Sequence, residues 1–260
     1  SDAQDVFLLD MIDDIVITII PGKLSFVSLH SIPSSDSTTH YFSIDDEIVY
    51  KPFFADFGPP NLAQVHVYVE TLRSKLSEAE LRGTHVIHVS SHDLHCRTNA
   101  AFLVCAFLVI EHGLSAEEAY RPFMGRYPPL TPFRDASYGP STFDLTVADC
   151  LEGLWKSLEF GWYSPSEFNS AEYIAWAQHE NGGLSWMIPA KLLALIGPCA
   201  QRNARETSLR HTPQEYVPIL RNAGVRLVIR LNSKEYDAHD FTRAGIRHID
   251  MYFPDGSCPS

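Results

Sequence analysis

The first half of the chain alternates between short apolar runs and long stretches of helical period. Residues 15–20 (IVITII) and 24–29 (LSFVSL) predict two strands around a Pro21-Gly22 turn. Residues 40–50 (HYFSIDDEIVY) predict a third strand with a polar bend, after a loop at 33–39. Residues 53–60 (FFADFGPP) read as a loop with Asp56 between aromatics. From 61 to 77, Leu62, Val65, Val69, Leu72 and Leu76 form one stripe, and Asn61 supplies a helix cap. Residues 85–91 (HVIHVSS) predict a strand. Residues 97–112 predict a buried helix that stops at Gly113, and Ser115 with Glu118 forms a capping box for a short one. A Pro-rich loop at 126–142 precedes another helix at 143–160.

A second alternation follows. Residues 170–180 predict a short helix ended by Gly182-Gly183, and 186–188 and 192–196 predict strands. Pro213 opens a helix that stops at Gly224, 225–230 (VRLVIR) is a strand, 234–244 is helical, and 246–253 is a strand. Strands alternating with helices predict an α/β fold with a mainly parallel central sheet flanked by helices. The last strand runs into the loop PDGSCPS, so residues 185–260 are expected to be only part of a domain.

Charge adds a boundary. The chain of 260 residues has net charge −12, all of it within residues 1–166, while 167–260 are neutral overall. That balance disfavours nucleic acid, which needs clustered Lys and Arg, and suits basic partners. No apolar run reaches the ~20 residues expected of a membrane span. The start, Ser1-Asp2-Ala3-Gln4-Asp5, has no basic n-region, so no signal peptide is expected. Five widely spaced cysteines without a CxxC suggest free thiols.

Four stretches carry a family resemblance: 40–63 (HYFSIDDEIVYKPFFADFGPPNLA), 97–123 (RTNAAFLVCAFLVIEHGLSAEEAYRPF), 128–139 (PPLTPFRDASYG) and 230–260 (RLNSKEYDAHDFTRAGIRHIDMYFPDGSCPS). In these the chain resembles the Cdc-fourteen (cell division cycle fourteen) family of dual-specificity protein phosphatases. The resemblance implies tandem phosphatase-like domains: a degenerate, non-catalytic one at 1–166, a linker helix within 167–184, and the N-terminal part of a catalytic one at 185–260. It implies phosphoprotein substrates with a preference for phosphoserine followed by proline, a role in the cell cycle, and a nuclear, nucleolar and cytoplasmic location. No metal or cofactor is implied, because a thiolate and an arginine hold and attack the phosphate. A segment or chain completing the catalytic domain is expected.

The residues follow from the same resemblance. Asp255, in Pro254-Asp255-Gly256-Ser257-Cys258-Pro259, stands where the family has its general acid; alone, Asp-Gly is an ordinary turn. The nucleophile loop, Cys followed by five residues and Arg, is not found. Cys199 and Arg205 fit its spacing but lack the preceding His, the loop glycines and the apolar helix. The chain alone is therefore expected to be inactive. In the first domain, Val89 and His95 align with that Cys and Arg, and Asp56 mirrors Asp255 as a relic of the acid. Arg134, Asp135 and Tyr138, with Glu172 and Glu180 of the linker helix, are candidate substrate contacts. Ile174 and Ala177 replace acidic residues there, which puts a preference for a basic residue after the phosphosite in doubt.

Two other readings stay open. One is a pseudophosphatase that binds protein partners. The other is an unrelated α/β enzyme with a metal bound by His85, His88, His92, His95 and Cys96. The spacings of that set suit a helix better than the strand and loop predicted there, so no metal is expected.

Overall fold

The computed structural model describes residues 16–201, 210–254, 257 and 259. The chain divides into two compact units, Ser1–Ser166 and Glu167–Ser260.

The first unit is built on a four-stranded sheet of β1 (Ile17–Ile20), β2 (Leu24–Ser28), β3 (Thr39–Phe42) and β4 (His85–Ser90). The order is β1-β2-β4-β3. β2 and β3 run parallel to β4, and β1 is antiparallel to β2. All five residues of β2 are buried, as befits an inner strand covered on both faces.

Helix α1 (Leu62–Arg82) opens on a reciprocal Asn61–Gln64 capping box and closes on Gly83 at φ 68°. It buries Val65, Tyr68, Val69 and Leu72 and packs against α2 (Leu94–His112). α2 begins three residues earlier than predicted, because Asp93 caps it. By length and composition it could cross a membrane, contrary to the sequence expectation, yet most of it is buried inside this unit. α3 (Ala116–Tyr120) follows the Ser115–Glu118 capping box. Phe133–Arg134 (β5) pairs with Asp144–Leu145 (β6), so residues 144–145 are strand, not helix. Thr146, boxed with Asp149, then opens α4 (Val147–Glu159), which packs on α2.

The predicted strand 40–50 ends at Phe42. Three consecutive acids follow closely, and the chain turns there, with Glu47 and Ile48 donating to the Ile44 carbonyl.

The second unit holds α5 (Ser170–Ala177), an antiparallel hairpin of β7 (Leu184–Ile188) and β8 (Leu192–Leu195), α6 (Pro213–Asn222), and the parallel pair β9 (Leu227–Arg230) and β10 (Arg247–Asp250) with α7 (His239–Arg243) between them. The predicted helix 234–244 shrinks to α7, and the predicted strand 246–253 to β10. Leu184, Tyr216, Leu220, Val228, Tyr236, Phe241 and Ile246 form the core. Ile229 and Ile249 stand side by side on the open face of the two strands, each nearly half exposed.

Candidate functional site

In the first unit, β4 leads through a short loop into α2, and the first helical amides lack intrahelical partners. Asp93 meets that need. Its carboxylate accepts from the amides of His95 at 3.0 Å and Cys96 at 2.8 Å. Just before it, the Ser91 amide donates to Asp45 at 2.7 Å. Burial raises the Asp45 pKa, against the opposing pull of Ser91. Two carboxylates from the chain itself thus occupy the place where a helix N-terminus would hold an anion.

The residues aligned with a nucleophile and its arginine do no such chemistry here. Val89 is buried within β4, opposite Val27. His95 lies flat on Phe57, ring centroids 3.8 Å apart. The neighbouring Cys96 thiol is pushed up to about 11, chiefly by burial, with Asp45 and Asp93 adding to it. A reactive cysteine needs the opposite environment.

The histidines of this region go to separate partners. His85 Nε2 is 2.9 Å from Ser25 Oγ. His88 Nδ1 is 2.9 Å from the Tyr68 hydroxyl. His92 bridges His30 Nε2, at 3.1 Å, and the Ser28 carbonyl, at 3.0 Å. Among the described residues, no group of three or more His, Cys, Asp or Glu is arranged to hold a metal ion.

Asp56, aligned with the general acid, is buried and fully engaged. Tyr50 donates its hydroxyl at 2.6 Å, and the Phe53 and Phe54 amides donate at 2.9 and 2.8 Å. Burial pushes the Asp56 pKa up, but the Tyr50 hydroxyl and these amides outweigh it, and the net direction is down. A carboxylate held in this way keeps its charge and gives up no proton near neutrality.

The loop after β5 is ordered from within. Arg134 donates to the carbonyls of Ser137 at 3.2 Å and Gly139 at 2.6 Å. Asp135 accepts from the Ser137 hydroxyl at 2.9 Å. The Ser141 and Ser137 hydroxyls lower its pKa. Arg134 and Asp135 therefore shape the loop they belong to. Tyr138 is three-quarters exposed, and its ring leans on the exposed Phe53 and Phe54, centroids 5.0 and 5.2 Å away. The structure thus joins two segments that the sequence kept apart, 53–54 and 138, into one aromatic cluster.

In the second unit, Glu172 and Glu180 are both exposed, in α5 and in the turn beyond it. Glu172 accepts from Trp176 Nε1 at 3.4 Å. The Cys199 thiol donates to the carbonyls of Arg210 and His211, at 3.6 and 3.8 Å. Arg205 and Asp255 lie outside the described residues. Sequence reasoning passed over Arg230. It is buried and pairs with Asp250 at 2.8 Å, donates to the Tyr236 carbonyl at 2.7 Å, and lies over the Tyr236 ring. These two residues are register partners across the parallel strands, a juxtaposition that only the pairing reveals.

Comparison with known proteins fits these observations. Residues 18–157 match the family model "Dual specificity protein phosphatase, N-terminal half". The chain is 43% identical over 92% of its length to dual specificity protein phosphatase CDC14A of Mus musculus, covering 40% of that protein. It is 39% identical over its whole length to CDC14B of the same species, covering 53% of it. It is 33% identical over 99% of its length to the tyrosine-protein phosphatase CDC14 homolog of Schizosaccharomyces pombe, covering 48% of it. The chain spans about half the length of the curated relatives it matches. On the family match and these identities, the chain belongs to the CDC14 dual-specificity phosphatases, in their N-terminal half.

Proposed function

We propose that the chain is the N-terminal part of a cysteine-dependent protein phosphatase that removes phosphate from phosphoserine, phosphothreonine or phosphotyrosine in proteins, with phosphoserine-proline sites preferred. The carrying observation is the similarity to named dual-specificity phosphatases along 92% or more of the chain. In this reading 1–166 is a degenerate phosphatase-like domain, 167–184 carries a linker helix, and 185–260 opens the catalytic domain. The self-capped corner at Asp93 supports a non-catalytic first domain, since a phosphate dianion would have to displace a carboxylate. Arg134, Asp135 and the exposed Tyr138, with the exposed Glu172 and Glu180, are the proposed substrate contacts.

The chemistry needs a cysteine loop and a proton donor. A thiolate attacks phosphorus, and Asp255 protonates the departing serine or tyrosine oxygen. The test uses a protein that carries this chain and a complete catalytic domain. Asp255→Asn should slow phosphoserine peptides by about 10²–10⁴-fold. It should slow nitrophenyl phosphate much less, because nitrophenolate leaves without a proton. Equal slowing of both substrates, or of neither, removes Asp255 from the role.

A further inference from the structure

The pairing of β9 with β10 continues past the strand ends. The Met251 amide donates to the Arg230 carbonyl at 2.9 Å, and the Phe253 amide donates to the Leu231 carbonyl at 3.2 Å. The chain is thus held as far as Phe253, two residues short of Asp255. In α/β sheets, the loops that do chemistry leave the carboxyl ends of parallel strands.

A buried cation sits at that end. Val228 and Arg230 turn to the core face of β9 while Ile229 turns outward, so the guanidinium is buried. Its partners come from both segments that leave the two strands. Nε and Nη2 each donate at 2.8 Å to Oδ1 of Asp250, the last residue of β10. Nη1 donates to the Tyr236 carbonyl at 2.7 Å, in the segment after β9, and the guanidinium lies 4.5 Å from the centre of the Tyr236 ring. The Tyr236 hydroxyl and Nε2 of His248, on β10, are 2.8 Å apart. Lys234 reaches the second oxygen of Asp250 at 3.3 Å.

One guanidinium therefore fixes where the chain leaves β10 relative to where it leaves β9. Stability alone does not call for it, because an apolar side chain packed on the same face commonly serves a core as well as a buried ion pair does.

We infer that Arg230 and Asp250 are positioning residues for the proton donor: they set the start of the segment that carries Asp255, and so bring that acid to the departing oxygen. The inference rests on the function proposed above. The pair acts only through Asp255 and makes no contact with the phosphate.

The test uses the protein that carries this chain and a complete catalytic domain. Asp250→Asn and Arg230→Lys are measured alone and combined with Asp255→Asn, on a phosphoserine peptide and on nitrophenyl phosphate. Each single variant should lower kcat on the peptide by about 10–10²-fold, the scale on which a misplaced catalytic group is felt. Each should leave nitrophenyl phosphate nearly unchanged, which also shows that the variant is folded. Added to Asp255→Asn, neither should slow the peptide further, because the group they place is already gone. Equal slowing of both substrates, loss of fold included, makes the pair merely structural and overturns the inference. An unslowed peptide, or a full further loss on top of Asp255→Asn, overturns it too. If Asp255→Asn itself does not separate the two substrates, the proposed acid falls and this inference with it; if Asp255→Asn separates them and the other two variants do not, only the positioning falls.

Discussion

His88 should make the first unit sensitive to acid. The ring is fully buried on β4, stacked 4.7 Å from Phe42, met by the edge of Phe26 at 5.5 Å, and hydrogen-bonded to Tyr68. Its Nε2 has no hydrogen-bond partner among the described residues. Burial pushes its pKa down to about 3. In the unfolded chain an imidazole titrates near ~6.5. Between these values the unfolded state binds a proton that the folded state refuses, so stability falls as pH drops from ~6.5 toward 3. The slope is about 1.4 kcal/mol per pH unit, or about 2 kcal/mol lost by pH 5. His88→Phe removes the titration and keeps the stack. It leaves the Tyr68 hydroxyl unpaired, which should cost about 1–3 kcal/mol at every pH. The variant should therefore be the less stable protein at pH 7.5 and draw level near pH 5. Native-state hydrogen exchange of the buried α2 amides reads this unit alone. After correction for intrinsic rates, parent protection should fall about thirtyfold more than variant protection between pH 7 and pH 5. His30 and His92 are present in both proteins and cancel in the difference. A parent and variant with parallel pH profiles would refute the buried neutral histidine.

Gly58→Ala should destabilise the first unit by about 1–3 kcal/mol in urea titration, because the new Cβ would lie 2.4 Å from Asn99 Oδ1 and 2.6 Å from the buried Phe133 ring; an unchanged midpoint would contradict this packing. Asp250→Ala should lower the stability of the second unit by about 1–3 kcal/mol, since it takes one charged partner from the buried Arg230 guanidinium and leaves it the Tyr236 carbonyl; exchange at the Val228 and Ile229 amides would measure it. The 260-residue chain should release no nitrophenolate from nitrophenyl phosphate. Burial pushes the thiols of Cys96, Cys105 and Cys150 up, and the Cys199 thiol is spent on two carbonyls; turnover that disappears in Cys199→Ser would overturn this.

Local signals in the sequence carried the helices. Asn61, Ser115 and Gly113 act within four residues of the helix they begin or end, so their roles can be read without tertiary information, whereas α1 was expected to end at 77 and runs on to Arg82 before Gly83. Where distant residues decide, the reading slipped. Residues 143–145 carry helical period, but Leu145 and Asp144 pair with Phe133 and Arg134. The strand from His40 was expected to run through Asp45, whose carboxylate instead serves Ser91, 46 residues on. At the candidate site the pattern was the same. The motif around Arg134 was visible, yet its guanidinium turns back onto its own loop, and the partners of Tyr138 come from residues 53–54. Asp56 was visible as an acid between aromatics, but the Tyr50 hydroxyl that commits it was not.

The corner between β4 and α2 shows how one backbone geometry can serve two ends. A helix N-terminus beside a strand end offers amides to any negative group. Here Asp93 and Asp45 take up amides at this corner, and both belong to the chain. An incoming phosphate would need those amides while facing the carboxylates. At ~4 Å and an effective dielectric of ~20, two like unit charges repel by about 4 kcal/mol, enough to cancel several hydrogen bonds. Removing the carboxylates would leave the first-turn amides without partners, at a cost of about 1 kcal/mol for a lost helix cap. The corner therefore gains stability from the same residues that close it to phosphate. Burial of Cys96 acts in the same direction, because a thiol held protonated beside two acids adds no charge to the site. With the corner closed to phosphate, contacts are left to exposed surface, and the cluster of Phe53, Phe54 and Tyr138 is exposed.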